Sequence, residues 1–433
     1  MSLCLTPAIE RITAAVTGRT CSLFAEDLRS RQTELIEAVG DARILICGGA
    51  GSIGSATLME LLDLKPAAVS VLDPSENNLA ELVRSVRSRE PVFRGEFAVA
   101  PLDYGSSLAR RFLAEQKPFD WVLSFAALKH VRSERDAVSL LRMLEVNLLG
   151  ADRFFASLRE HGHGRAGVFT VSTDKAAAPV SLMGASKRAL ELLLWCHRAG
   201  GPRSLVDGGS APGFARATTA RFANVAFSDG SLPWGFLQRL AKGQPLAAPG
   251  DVRRYLVSPR EAGQLCLVAT VLAPDRTVLV PRLSPERDLI DFVRVAEATL
   301  REYGLEPAFY ETEEAARAAV STDRKAGRYP LLVTRSDTTG EKDEEIFVGQ
   351  GENAEECGLL GALVVAAPAV VGAPAVVAAP AVVAEGLVAL LRVIDDGCSR
   401  GRAVEKAELL EALAVVVPEL RHVDTGRSLD QKM

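Results

Sequence analysis

The chain has 433 residues, with 50 Lys and Arg against 55 Asp and Glu, so its formal charge at neutral pH is −5. That mild acidity excludes a dedicated nucleic-acid binder, which needs a basic stripe to displace counterions. With 48% apolar and 24% charged residues, the chain can bury a large core and is not disordered as a whole.

Residues 1–40 read as an N-terminal helical arm. Thr6 and Pro7 supply an N-cap and a first helical position, Ile9, Ile12, Val16, Leu28, Leu35 and Ile36 give spaced apolar positions, and Gly40 ends the stretch. Such an arm packs on the main domain or on another subunit. Glu10 and Arg11 interrupt any apolar run, so no secretory leader is expected. The seven cysteines are dispersed, without C-x-x-C or zinc spacing. They read as reduced thiols of a cytoplasmic protein without a metal site.

From Arg43 the pattern changes to short apolar runs alternating with helical segments. Strands are expected at Ile44 to Cys47, Ala68 to Asp73, Phe97 to Asp103, Trp121 to Phe125, Gly167 to Ser172 and Thr218 to Phe222, with helices such as Asn77 to Arg89 and Leu182 to His197 between them. Near-continuous apolar strands alternating with helices predict an α/β fold, a doubly wound parallel sheet of the Rossmann type, over residues 41–345. A smaller substrate-binding lobe is expected mainly at 224–345. Residues 346–386 carry a hexapeptide repeat with Pro368, Pro374 and Pro380, and no charge between Glu356 and Glu385. That length could cross a bilayer, but prolines at this spacing break a helix repeatedly, so a semi-rigid linker and no membrane segment is expected. Residues 387–433 read as a small helical module.

C-G-G-A-G-S-I-G at Cys47 to Gly54 follows a strand and opens a helix. Gly48, Gly51 and Gly54, with Ser52 and Ile53 at the helix start, let the backbone approach a pyrophosphate that the helix N-terminus favours. Asp73 lies nineteen residues past Gly54 at a strand end, where a carboxylate can accept from ribose hydroxyls and repel a 2′-phosphate. The reading is therefore NAD over NADP. Asp103, at the next strand end, is placed to meet adenine or to act as an ordinary strand-end cap.

V-S-T-D-K at Val171 to Lys175 ends the fifth strand and is followed by S-L-M-G-A-S-K-R at Ser181 to Arg188. Strand carboxyl ends line the ligand crevice of such a sheet, so Thr173, Asp174 and Lys175 should face it. Lys187 lies one helical turn after Met183, on the same face. The spacing matches Tyr-x-x-x-Lys of the short-chain dehydrogenases, but Met183 holds the Tyr position and cannot take a proton.

From about Arg43 to Lys342 the chain resembles the extended short-chain dehydrogenases of polysaccharide biosynthesis, the CapD-like nucleotide-sugar 4,6-dehydratases. GGAGSIG, DPSENNLAELV, SFAALKHV, EVNLLG, VSTDKAAAPVSLMGASKR, RFANVAFSDGSL, RRYLVSPREA and DTTGEKDEE carry the likeness. Met in place of Tyr is similar to the subgroup acting on UDP-N-acetylglucosamine with retention at C5. RFANVAFSDGSL and the terminal HVDTGRSLDQKM are similar to dehydratases of legionaminic-acid pathways, some of which take GDP-N-acetylglucosamine, so UDP and GDP both stay open.

The resemblance implies oxidation at sugar C4 by NAD, loss of water across C5 and C6, and return of the hydride to C6. It implies a catalytic trio of Thr173, Asp174 and Lys175 in which Asp174 protonates the leaving hydroxyl and Lys175 removes the C5 proton, with Lys187 on the nicotinamide ribose. Which group takes the C4 hydroxyl proton without a tyrosine stays open, a relay by Thr173 through water or Asp174 being one route. Asp174 should be raised by burial, and Lys175 lowered by desolvation and by Lys187. Ala126 and Ala127 leave room for the dinucleotide. Lys129 and Asn147 match positions near cofactor and substrate, Met183 lines the sugar pocket, Asn224 and Arg254 grip the nucleotide diphosphate, and His130 is structural. A homo-oligomer with a nucleotide-sugar substrate is implied. The competing functions are a nucleotide-sugar epimerase and a non-catalytic dinucleotide sensor.

Overall fold

The computed structural model describes residues 7–129, 131–206, 208–335, 345–367 and 380–422. Its centre is a nine-stranded sheet: β1 (Arg43–Cys47), β2 (Ala68–Leu72), β3 (Glu96–Ala100), β4 (Trp121–Ser124), β5 (Gly167–Thr173), β6 (Arg216–Phe222), β7 (Thr277–Pro281), β8 (Ala354–Glu355) and β9 (Ala362–Ala366). The spatial order is β8-β9-β7-β6-β5-β4-β1-β2-β3. Every pairing from β3 across to β7 is parallel, and β9 and β8 add antiparallel at that far edge. Strands β1 and β2 are buried along almost their whole length because helices cover both faces. The chain reverses from β3 back across β1 to β4, and the crevice at that switch point is where the carboxyl ends of β1, β4 and β5 converge.

The lobe is built from two three-stranded sheets. One joins Leu246–Pro249, Arg328–Thr334 and Glu306–Tyr310, and the other joins Asn224–Val225, Arg253–Val257 and Leu289–Asp291. Its core holds Phe227, Phe236, Leu246 and Tyr329, and also Ile9, Ile12 and Val16 of the first helix, Pro7–Thr17. The start of the N-terminal arm is thus part of the lobe's core. Its later helices, Ala25–Ser30 and Gln32–Val39, place Phe24, Leu35 and Val39 in the core of the main sheet.

The stretch read as a linker, 346–386, behaves differently from that expectation. It contributes β8 and β9, with Ala362 to Ala366 opposite Pro281 to Thr277 of β7, and Pro380 opens the helix Pro380–Ser399. Leu363, Val364 and Val365 suit a strand once β7 on one side and β8 on the other offer their backbone hydrogen bonds. Pro368 and Pro374 lie outside the described residues. The terminal helices Pro380–Ser399 and Lys406–Val416 bury Leu387, Leu390, Leu391, Ile394, Leu409 and Leu413 in the main core, so they are not a separate module. They pack on the helices Ala137–Leu144 and Leu182–Ala199, and Arg153 pairs with Asp395 at 2.6 Å.

Candidate active site

A cleft of about 410 Å³ opens between the carboxyl ends of the central strands and the lobe. Gly48, Gly51, Ser52, Ile53 and Gly54 line one end. Gly48 has φ +69, and a Cβ there would stand 2.7 Å from the Ala126 amide nitrogen. A Cβ on Gly54 would stand 2.5 Å from the Gly48 carbonyl oxygen. No side chain fits at either place, so the turn presents bare backbone at the start of the helix Ser52–Asp63. Asp73 fixes this turn: its Oδ2 accepts from the Ala50 amide at 3.2 Å and its Oδ1 from the Ser75 amide at 3.0 Å. Burial raises its pKa, and those two amides oppose the rise. Asp103 accepts from the Gly105 amide at 3.0 Å and meets Arg142 at 3.4 Å, which is a strand-end cap.

The central part of the cleft is lined by Thr173, Asp174, Lys175, Met183 and Lys187. Strand β5 ends in a short 3-10 turn, Asp174–Ala176, which Thr173 opens. Thr173 Oγ1 donates to Asp174 Oδ1 at 2.7 Å, and Lys175 Nζ lies 3.2 and 3.3 Å from the two Asp174 oxygens. Burial works to depress the Lys175 ammonium, but Asp174 and then Glu345 outweigh it, and the pKa stands above the ordinary lysine value. The expectation of a lowered Lys175 is therefore corrected. Its nearest charge is the carboxylate beside it, and Lys187 is turned elsewhere.

Lys187 Nζ donates to the Val171 carbonyl oxygen at 3.1 Å. Burial brings it down to about 8, against the pull of Glu191. Its helix, Leu182–Ala199, is capped by Ser181, whose Oγ accepts from the Gly184 amide at 3.1 Å, and by the buried Glu134, which accepts from the Met183 amide at 2.9 Å. Met183, buried in the main core, lines the cleft at the position that tyrosine holds in the Tyr-x-x-x-Lys spacing.

Phe125, Ala127 and Lys129 line the cleft along the loop after β4, with Ala126 beside them against the Gly48 turn. Asn147 does not line the cleft. It is fully buried and clamps this loop from behind, accepting from the Leu128 amide at 2.8 Å and donating to the Leu128 carbonyl oxygen and to Ser186 at 3.0 Å each. His130 lies outside the described residues. Across the cleft, Ser52 Oγ donates to Asp229 Oδ2 at 3.1 Å.

Asn224 lines the lobe side of the cleft, but its amide nitrogen is engaged, donating to Glu345 Oε1 at 2.6 Å. Arg254 stands behind it, buried, with Nε 3.5 Å from the same oxygen. Glu345 was not singled out from the sequence, although it ends the DTTGEKDEE stretch; residues 337–344 of that stretch lie outside the described residues. A second feature absent from the sequence reading is a buried ionic cluster beneath the cleft. Arg221 Nη2 donates to Glu191 Oε2 at 2.8 Å and Nη1 to Glu352 Oε2 at 2.5 Å, Arg188 Nη1 donates to Glu191 Oε2 at 2.8 Å, and Ser172 Oγ donates to Glu191 Oε1 at 2.6 Å. An i, i+3 Arg188–Glu191 pair was the one trace of it in the sequence.

Among the described residues no group of His, Cys, Asp and Glu is placed to hold a metal ion, and no helix is long and apolar enough to cross a membrane. A family model described as polysaccharide biosynthesis protein matches residues 44–348. An uncharacterized membrane protein of Methanocaldococcus jannaschii is 30% identical over 271 residues, 62% of this chain and 74% of that protein. The capsular polysaccharide biosynthesis protein CapD of Staphylococcus aureus is 29% identical over 255 residues, 58% of this chain and 39% of that protein, so the match spans well under half of that relative. Among solved structures, Pen from Bacillus thuringiensis is similar in fold, with a TM-score of 0.57 at 20% identity over 76% of this chain and 88% of that one.

Proposed function

The chain belongs to the family of polysaccharide biosynthesis proteins, and on that footing we propose that it is an NAD-dependent nucleotide-sugar 4,6-dehydratase acting on UDP- or GDP-linked N-acetylglucosamine. The observation that carries the reading is the run Thr173, Asp174, Lys175 on the cleft wall with Lys187 buried beside it. The residues present fit a dinucleotide: the Gly48–Gly54 turn is a cradle that a Cβ would fill, and Asp73 at the end of β2 suits a ribose diol. Bound there, NAD supplies the acceptor and later the donor of a hydride.

The chain's own groups then account for the protons. A C4 hydroxyl donates to Thr173 Oγ1, which is already aimed at Asp174 Oδ1, so Asp174 gains a proton without a tyrosine. That proton is the one Asp174 gives to the departing 6-hydroxyl, which leaves as water. Lys175, having shed its ammonium proton to solvent, takes the C5 proton and, after exchange with solvent, delivers a proton to C5 at the end. Protonating Asp174 first also removes the charge that contributes most to holding Lys175 as an ammonium, which favours Lys175 as a base at the step that requires one.

A nucleotide-sugar epimerase on the same fold needs hydride removal and return at C4 alone, and leaves the adjacent Asp174–Lys175 pair without a task. Turnover of UDP- and GDP-N-acetylglucosamine in deuterated water separates the two. Loss of one water with deuterium at C5 supports elimination, and an unchanged mass with an inverted C4 refutes it. Asp174→Asn and Lys175→Ala should each reduce turnover by a hundredfold or more, on the order of what a positioned acid or base contributes, with bound NAD retained. A fully active Lys175→Ala enzyme removes the assignment of the base.

A further inference from the structure

Glu345 is a buried carboxylate placed where the two halves of the cleft meet. Its side chain is 4% exposed. On the lobe side, Oε1 accepts from Asn224 Nδ2 at 2.6 Å and lies 3.5 Å from Arg254 Nε, while Oε2 accepts from the Tyr255 amide at 2.9 Å. Asn224 and Tyr255 sit on the neighbouring parallel strands Asn224–Val225 and Arg253–Val257, where Leu256 is opposite Asn224. One carboxylate therefore ties two lobe strands together at the cleft. On the other side, the charges facing it are Asp174 and Lys175 of the turn after β5. Asp174, Glu345, Lys175 and Arg254 form a balanced set of two anions and two cations. Glu345 reaches that set from a segment remote in sequence from the other three.

We propose that Glu345 is a positioning residue of this cleft, holding Asn224 and Arg254 in register with the Asp174–Lys175 pair and fixing the charge that Lys175 carries. Its kinetic consequence rests on the dehydratase reading above; its electrostatic consequence does not. The reason is mutual: a carboxylate close to an ammonium keeps the ammonium protonated, and loss of the carboxylate's charge releases it. Burial, with Asp174 adding to it, pushes Glu345 up to about 7 against Lys175, the Tyr255 amide and Arg254. Its charge thus changes near neutral pH, and the ease with which Lys175 gives up its proton changes with it.

The test is the titration of Lys175 Nζ, read by NMR of lysine-labelled protein and assigned by the signal lost in Lys175→Arg. In Glu345→Gln the Lys175 midpoint should fall by about one pH unit or more, on the order of what a close opposite charge supplies. KM for UDP- or GDP-N-acetylglucosamine should rise, and the limb of the kcat–pH profile that needs neutral Lys175 should move to lower pH. Glu345→Asp should restore the Lys175 midpoint while its shorter arm leaves KM raised. An unchanged Lys175 midpoint in a folded Glu345→Gln protein overturns the proposal. Should Glu345→Gln fail to fold, Glu345→Asp decides: a wild-type KM overturns the proposal, and a raised KM with a wild-type midpoint supports it. Failure of the wild-type chain to turn over either sugar nucleotide sinks the dehydratase reading, and the Lys175 titration still decides the role of Glu345.

Discussion

Lys187→Met tests whether the cleft lysine is retained at the expense of stability. The ammonium is fully enclosed, 4% exposed as a residue, and donates to the Val171 carbonyl oxygen at 3.1 Å. A fall in pKa from 10.5 to about 8 corresponds to about 3 kcal/mol of penalty on the charged form, at 1.36 kcal/mol per unit. The sign follows from proton binding. Between about 8 and 10.5 the unfolded chain holds this proton and the folded chain does not, so wild-type stability rises with pH through that window and the full penalty stands below it. Methionine removes the penalty but leaves the Val171 carbonyl without its donor, at about 1 kcal/mol or somewhat more. The variant should therefore be about 1–2 kcal/mol more stable than wild type at pH 7 and about 1 kcal/mol less stable at pH 10.5. Urea unfolding of both proteins at the two pH values measures this, and turnover should be lost in the variant throughout. A Lys187→Met protein that is destabilised equally at both pH values refutes the reasoning.

Arg221→Met leaves Glu191 without its principal partner in a fully buried place, and urea unfolding should show a loss of about 3–5 kcal/mol. Burial works against the Glu191 carboxylate, but Arg221 and Arg188 outweigh it and bring its pKa down to about 2 from 4.5. That stabilisation is present above pH 4.5 and lost as the pH falls toward 2, so the acid limb of the stability profile should be shallower in Glu191→Gln. Gly48→Ala combines a positive φ with a Cβ 2.7 Å from backbone and should cost about 1–3 kcal/mol, with calorimetry showing weakened NAD binding. Gly235→Ala, on a helix with open space around it, is the control and should be neutral or stabilising.

What the sequence disclosed and what it hid divide along contact range. Strands β1 and β2 were legible because a parallel strand buried on both faces must be apolar at nearly every position, as RILIC and AVSVL are. Strand β9 was not legible, because ALVVA shares its composition with the proline repeat that follows and only pairing with β7 distinguishes the two. Thr173, Asp174, Lys175, Met183 and Lys187 were legible because they are contiguous or one helical turn apart. Glu345 was hidden by distance along the chain: its partners Tyr255 and Asn224 are 90 and 121 residues away. The charge of Lys175 is hidden for a related reason. Desolvation and Lys187 are expected to lower it, whereas Lys187 donates to the Val171 carbonyl and Lys175 folds back onto Asp174.

The helix Leu182–Ala199 brings these observations into one argument. Met183, Lys187 and Glu191 fall four residues apart, so they form one stripe running from the cleft into the interior. At the inner end Glu191 is committed to Arg221, Arg188 and Ser172. An anion so fully neutralised supports Lys187 only weakly, and this is why burial prevails and the lysine falls to about 8. The ionic cluster therefore does two things at once. It locks β5, β6, the helix and the segment carrying Glu352 to one another, and it withholds from Lys187 the counter-charge that would restore an ordinary lysine. A lysine brought down to about 8 turns from donor to acceptor toward a ribose hydroxyl as the pH rises through that value, whereas an ordinary lysine only donates there. The arginine pair behind the helix thus contributes to the chemistry of a side chain that neither arginine touches.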